Sequence, residues 1–170
     1  MRSSKIQTMA RCALSACLMA LCAWITIPGP VPFTMQTFGL FLTLMLLGGK
    51  QGCLAIGTYL LMGLCGLPVF SGFQGGIGAL AGPTGGYLFG FMSTCLLYWL
   101  LTKLGVPSLP ALLAGYLGCC CLGTVWYLAV FGGSFRSVIS VCVVPFLIPD
   151  AIKLVLAHSV GKRLGKIIRA

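Results

Sequence analysis

The stretch Pro149-Asp150-Ala151-Ile152-Lys153-Leu154-Val155-Leu156-Ala157-His158-Ser159-Val160-Gly161-Lys162-Arg163 decides the class of fold. It is an apolar run that opens at a proline and ends in a basic tail. Apolar length followed by clustered Lys and Arg is the pattern of a membrane helix ending at the cytoplasmic face. Inside the run stand Lys153 and Asp150, the only acid of the chain. Three residues apart on a helix, they share one face. Lys162 follows Asp150 by twelve positions, which at 1.5 Å per residue puts the pair roughly 18 Å from the cytoplasmic end, in the outer half of the membrane. A charge in hydrocarbon costs several kcal/mol, so intramembrane ionisable residues are functional candidates.

Asp150 follows Pro149 at the expected first helical turn, where an acid suits the helix dipole. Lys153, in the same turn, does not suit it, and a cation beside a positive helix end calls for an anion. Transporters hold substrate with helix ends of this kind. The expected ligand offers a carboxylate to Lys153 and an N–H donor to Asp150. The competing reading is a structural Asp–Lys pair that neutralises itself.

The composition outside this stretch agrees. The 170 residues are 59% hydrophobic and 7% charged, with a mean hydropathy of +1.07. A soluble enzyme of this size has no means of hiding so much apolar surface. The net charge of +10 does not indicate nucleic acid, because the basic residues sit between apolar runs. At about 20 residues per span, the chain accommodates about six spans and no soluble domain. The expected fold is an all-α membrane protein: a six-helix transmembrane bundle, residues 1–170 forming one substrate-binding domain, with an outward Gly-rich loop between helices 3 and 4.

The apolar runs are Cys12–Ile27, ended by Pro28-Gly29-Pro30 and Pro32; Phe33–Leu47, stopped by Gly48-Gly49-Lys50; Gly52–Leu64; Tyr87–Leu104; Leu109–Phe131, stopped by Gly132-Gly133; and the run from Pro149. The first resembles a signal peptide, but further runs follow it, so it reads as a retained span. The second and third are short for full spans and fit helices packed inside a bundle. Phe135–Val144 reads as amphipathic at best. With six spans, Arg2, Lys5, Arg11, Lys50, Lys103, Lys162, Arg163, Lys166 and Arg169 share the side of the termini, and Arg136 alone lies opposite. That bias makes both termini cytoplasmic in a bacterial inner membrane. Trp24 and Trp126 then mark the outer interface and Trp99 the inner one.

The ten cysteines lie mostly in apolar runs, fit no zinc spacing, and share the chain with one histidine, His158. They read as small apolar packing residues, His158 reads as interfacial, and no cofactor or metal is expected. Between Gly63 and Gly90 stand ten glycines, including Gly82-Pro83-Thr84-Gly85-Gly86. Polar backbone at membrane depth is tolerated where it lines a cavity, and the apolar residues Leu67, Val69, Phe70, Phe73, Leu80 and Tyr87 point to a loop folded back on the bundle. No Gly-x-x-x-x-Gly-Lys-Ser/Thr phosphate loop is present. Thr34, Gln36 and Thr37 open the second run; threonines in helices often bond their own backbone, whereas Gln36 points into a cavity. Ala13, Ala16 and Ala20 head a small-residue stripe on the first span that allows close helix approach, either within the bundle or toward a partner subunit.

Together, Pro28-Gly29-Pro30-Val31-Pro32-Phe33-Thr34-Met35-Gln36-Thr37, Gly66-Leu67-Pro68-Val69-Phe70, Gly82-Pro83-Thr84-Gly85-Gly86-Tyr87, Pro145-Phe146 and Asp150-x-x-Lys153 resemble the BioY family over nearly the whole chain. These are the biotin-binding S components of energy-coupling-factor (ECF) transporters. One departure is Pro149, where that family usually has glycine. The resemblance implies a six-helix protein that takes biotin from outside, with Asp150 and Lys153 contacting the vitamin. Phe70, Phe73 and Tyr87 would supply apolar walls, and Gln36, Thr34, Gln74 and Thr84 further hydrogen bonds. The implied partners are a transmembrane coupling subunit and two cytoplasmic ATPases; the Ala13–Ala16–Ala20 stripe is the candidate docking face for the coupling subunit. The alternative is a solitary vitamin or small organic-acid transporter working without an ATPase. An ion channel or proton-driven carrier would need a ring or relay of charges, and an intramembrane enzyme would need catalytic partners that one His and one acid do not supply.

Overall fold

The computed structural model describes residues 2–29 and 31–169. Pro30 of the proline cluster, and the side chains of Arg2, Lys166 and Arg169 counted toward orientation, lie outside the described residues. Seven α-helices follow in order: α1 (Arg2–Trp24), α2 (Gln36–Leu64), α3 (Ile77–Ala81), α4 (Gly85–Lys103), α5 (Ser108–Phe131), α6 (Phe135–Cys142) and α7 (Val144–Arg169). A two-residue hairpin between α1 and α2 pairs β1 (Thr26–Ile27) with β2 (Phe33–Thr34), antiparallel, with Thr26 opposite Thr34.

Five helical stretches are long and apolar enough to cross a membrane, and one of them crosses it twice. α2 is interrupted at Gly48, which has the non-helical angles φ 74°, ψ 178°. Such positive φ is accessible to glycine at no steric cost. The chain reverses there, because the Gln36 amide reaches the Tyr59 hydroxyl at 2.6 Å. In a straight helix those residues would stand roughly 35 Å apart. The second and third expected spans are therefore the two arms of one bent helix, residues 36–47 and 49–64, and six membrane segments result.

Those arms form the centre of the bundle. Leu40, Phe41, Leu44, Ile56 and Tyr59 are all buried there. α1 lays Ala16, Met19 and Ala23 against α2. α4 and α5 run side by side along their length, with the Thr94 hydroxyl donating to the Gly115 carbonyl across the contact at 2.9 Å. α7 packs parallel to the first arm of α2, Thr37 meeting Asp150 near one end and Met45 lying against Gly161 nearer the other.

Helix α7 starts earlier than the sequence suggests. It begins at Val144, takes Pro145 in its first turn and carries Pro149 inside. Proline is tolerated in a first helical turn because the N–H there has no intrahelical partner. Asp150 consequently lies in the second turn rather than the first, out of the strongest reach of the dipole. Residues 65–84 are also less irregular than expected: a 3-10 turn spans Ser71–Phe73 and α3 follows. Trp24 and Trp126 both tie down this segment, donating to the Pro68 and Gly82 carbonyls at 2.8 and 3.1 Å. Trp99 packs at the opposite end, beside Gly49.

Candidate ligand-binding site

A cavity of about 640 Å³, counting its mouth, opens at the end of the bundle that carries the Gly-rich segment. Its polar end is built by three helices. α7 supplies Asp150 and Lys153, each 4% exposed. Lys153 Nζ lies 2.6 Å from Asp150 Oδ1. From α2, the Thr37 hydroxyl donates to the same oxygen at 2.9 Å. From α5, the Tyr116 hydroxyl donates to Oδ2 at 2.9 Å. Lys153 also donates to the Thr34 carbonyl at 2.7 Å and to the Thr37 hydroxyl at 3.3 Å, and its ammonium lies 3.9 Å from the centre of the Phe33 ring.

Donor and acceptor counting locates the unused capacity. An ammonium has three N–H groups, and the three acceptors around Lys153 match them. A carboxylate offers about four lone-pair directions; Lys153, Thr37 and Tyr116 take three at Asp150, leaving one on Oδ2. Lys153 is thus not the uncompensated cation that the spacing implies. The pair neutralises itself, yet it does so in the wall of a cavity rather than in a sealed core.

A second network adjoins the first. Gln36, 6% exposed, lines the cavity. Its amide nitrogen donates to the Tyr59 hydroxyl, and Tyr59 donates onward to the Val69 carbonyl at 3.0 Å. The Thr34 hydroxyl donates to Gln36 Oε1 at 3.1 Å. One amide N–H and one lone pair of Gln36 remain for the cavity. Phe70, next to Val69, is 2% exposed and stands edge-on to the Tyr59 ring at 5.5 Å. Its ring fills the space where a side chain on Gly63 would be, so only glycine lets the loop come down this far.

Of the residues singled out in the sequence, Asp150, Lys153, Gln36, Thr34, Phe70, Thr84 and Tyr87 all line this cavity. Phe73 and Gln74 do not. Phe73 is 62% exposed and stacks on Trp24 with ring centres 5.1 Å apart. Gln74 lines a separate outer pocket that shares Pro32, Ser71 and Thr84 with the main one. The loop turns over between Phe70 and Phe73, so residues 69–71 are buried and residues 72–74 are exposed. The docking stripe needs a similar correction. Ala16 and Ala20 are 1% and 6% exposed, packed inside the bundle; Ala13 alone of the three is exposed. Tyr116, Tyr59 and Phe91 carry no signal in the sequence, since an aromatic inside an apolar run is ordinary. Cys119, Cys120 and Cys142 also line the cavity, while the Cys119 sulfur packs against Gly90 in the α4–α5 contact. All ten cysteines are free. His158 is partly buried, with Nδ1 lacking a partner among the described residues.

A model of the BioY family matches residues 1–170. A biotin transporter BioY of Thermotoga maritima is 46% identical over 156 residues, 88% of this chain and 90% of that protein. A probable biotin transporter BioY of Pyrococcus horikoshii is 38% identical over 159 residues, 89% of this chain and 92% of that one. Among solved structures, the S-component for biotin from an ECF-type ABC transporter superposes with a TM-score of 0.89 at 28% identity, covering 98% of this chain and 94% of that one.

Proposed function

The chain belongs to the BioY family, and on that premise we propose that it is the biotin-binding membrane subunit of an ECF transporter, taking biotin from outside the cytoplasmic membrane and passing it inward. Such a subunit binds and carries; it is not an enzyme. The observation that carries the reading is the unused lone pair of Asp150, set at the buried end of a cavity walled by aromatic and small polar side chains.

Biotin presents a cyclic urea with two N–H donors, a fused thioether ring and a valerate ending in a carboxylate. A urea N–H donates to Asp150 Oδ2. The carboxylate of the same molecule then has no place at Lys153. The two ends of biotin are far apart, whereas Asp150 and Lys153 are 2.6 Å apart. Lys153 has its N–H groups engaged, and the pair as a unit carries no net charge. Lys153 acts instead by holding the Asp150 carboxylate in place. The valerate runs outward past Phe70 and Tyr87 toward Ser71 and Thr84, where the cavity meets the outer pocket that Gln74 lines.

Uptake against a gradient needs energy, and the chain has no nucleotide-binding motif. A coupling subunit and two cytoplasmic ATPases supply it in our reading. Both termini are cytoplasmic, on the strength of the basic residues gathered at the Gly48 end of the bundle. Equilibrium binding of radiolabelled biotin to the purified protein is the test. Unlabelled biotin displaces the label, and thiamine and riboflavin in excess do not. Displacement by either, or no specific binding, refutes the assignment.

A further inference from the structure

Three cysteines contribute to one wall of the cavity, Cys119 and Cys120 from α5 and Cys142 from α6, with the Cys119 sulfur seated beside Gly90 of α4. They are 2%, 7% and 1% exposed and none is in a disulfide. The polar atoms near them are engaged elsewhere. Cys119 Sγ donates to the Tyr87 carbonyl at 3.7 Å, and the Tyr87 hydroxyl donates to the Cys142 carbonyl. With Leu88 and Phe91 alongside, this wall offers sulfur, methylene and ring carbon, and no strong hydrogen-bond donor. Its height in the cavity follows from α5. Cys119 and Cys120 come three and four residues after Tyr116, whose hydroxyl holds Asp150, so they lie one turn, about 5 Å, farther along the helix. In biotin the thioether sulfur lies across the fused rings from the urea carbonyl. A urea edge at Asp150 therefore brings the sulfur ring to the level of the thiols.

We infer that Cys119, Cys120 and Cys142 form a specificity surface that accepts the reduced thioether ring of biotin and rejects its sulfoxide. The inference rests on the biotin reading. Polarizable sulfur packs well against sulfur and aromatic carbon. A sulfoxide oxygen is a strong acceptor that is hydrogen-bonded in water, and thiols are weak donors. Burying it against this wall leaves it unsatisfied, a loss of about tenfold to a hundredfold in affinity.

The test is competition against radiolabelled biotin by unlabelled biotin and by biotin sulfoxide, on the purified full chain and on Cys119→Ser, Cys120→Ser and Cys142→Ser. The unsubstituted protein prefers biotin by about tenfold or more. At least one serine variant, by placing a hydroxyl donor on the wall, narrows that preference about threefold or more. Cys120→Ala removes sulfur without adding a donor; it keeps the sulfoxide excluded and leaves the test readable if a serine variant fails to fold. Equal binding of biotin and sulfoxide by the unsubstituted protein overturns the inference. So does a preference unchanged in all three serine variants that still bind biotin, or one that Cys120→Ala abolishes. Absence of biotin binding in the unsubstituted protein overturns the functional assignment itself, a result distinguishable from the others.

Discussion

Replacing Lys153 with alanine separates two roles for that residue: gripping the ligand carboxylate, or holding Asp150. The substitution removes the contacts to Asp150, the Thr34 carbonyl and the Thr37 hydroxyl together. Asp150, 4% exposed, keeps only its bonds from Thr37 and Tyr116. Taking one partner from a buried ion pair costs about 3–5 kcal/mol. Without Lys153 the carboxylate is no longer held in one orientation toward the urea, and a misaligned hydrogen bond loses much of its worth. A loss of about 1–2 kcal/mol at the urea contact corresponds to a fall of about fivefold to thirtyfold in biotin affinity. The preference for the free acid over the amide of biotin is untouched, because the carboxylate lies at the other end of the site. Competition of radiolabelled biotin by biotin and by biotinamide, on both proteins, closes the cycle. Both curves shift together, and the acid-to-amide ratio stays constant within about twofold, the scatter of independent sites. An acid preference present in the unsubstituted protein and lost in Lys153→Ala would refute the reasoning and return Lys153 to the carboxylate.

Tyr116→Phe removes the hydroxyl on Asp150 Oδ2 and leaves a buried carboxylate one donor short, a cost of about 1–3 kcal/mol. Biotin binding weakens about tenfold by the same equilibrium assay, and unchanged affinity would take Oδ2 out of ligand contact. Gly63→Ala sets a methyl group into the Phe70 ring; overpacking of this kind costs about 1–3 kcal/mol. Thermal unfolding in detergent shows a lower midpoint and a smaller shift on adding biotin, whereas a midpoint equal to that of the parent would mean that the loop does not pack on α2 as described. Cys65, exposed between α2 and the Ser71–Phe73 turn, reports orientation. A membrane-impermeant maleimide labels it on intact cells, with Cys65→Ser as the blank. Labelling that requires permeabilised cells would invert the topology.

The features legible in the sequence are those that depend on length and on rare residues. Six apolar segments, the Gly48 stop, and an acid and a lysine on one helical face follow from counting. The cavity wall is different, because threonine and tyrosine are ordinary inside a membrane helix and only their partners make them exceptional. Nothing in Thr37 itself says that it reaches Asp150 while Thr34 bonds Gln36. Tyr116 lies in an apolar run in which any of several positions would serve. The start of α7 was obscured by Pro149, which reads as a helix boundary until Pro145 is seen to occupy the first turn. The alanine stripe of α1 reads equally well as an inner or an outer face; burial of Ala16, Ala20 and Ala23 decides for the inner.

The self-neutralised pair changes what the site selects. A lone buried lysine would attract any small anion that fits. A saturated Asp–Lys unit with one lone pair left selects by hydrogen-bond pattern: it favours a neutral donor at the buried end and offers little to an anion there. That suits a ligand whose only charge trails behind it on a flexible chain. It also makes the empty protein tolerable in a bilayer, since no uncompensated charge waits in the low-dielectric interior between ligands. The same arithmetic explains why Thr37 and Tyr116 matter as much as the charged residues. Each takes a lone pair that would otherwise be open, and together with Lys153 they leave Asp150 a single open acceptor direction.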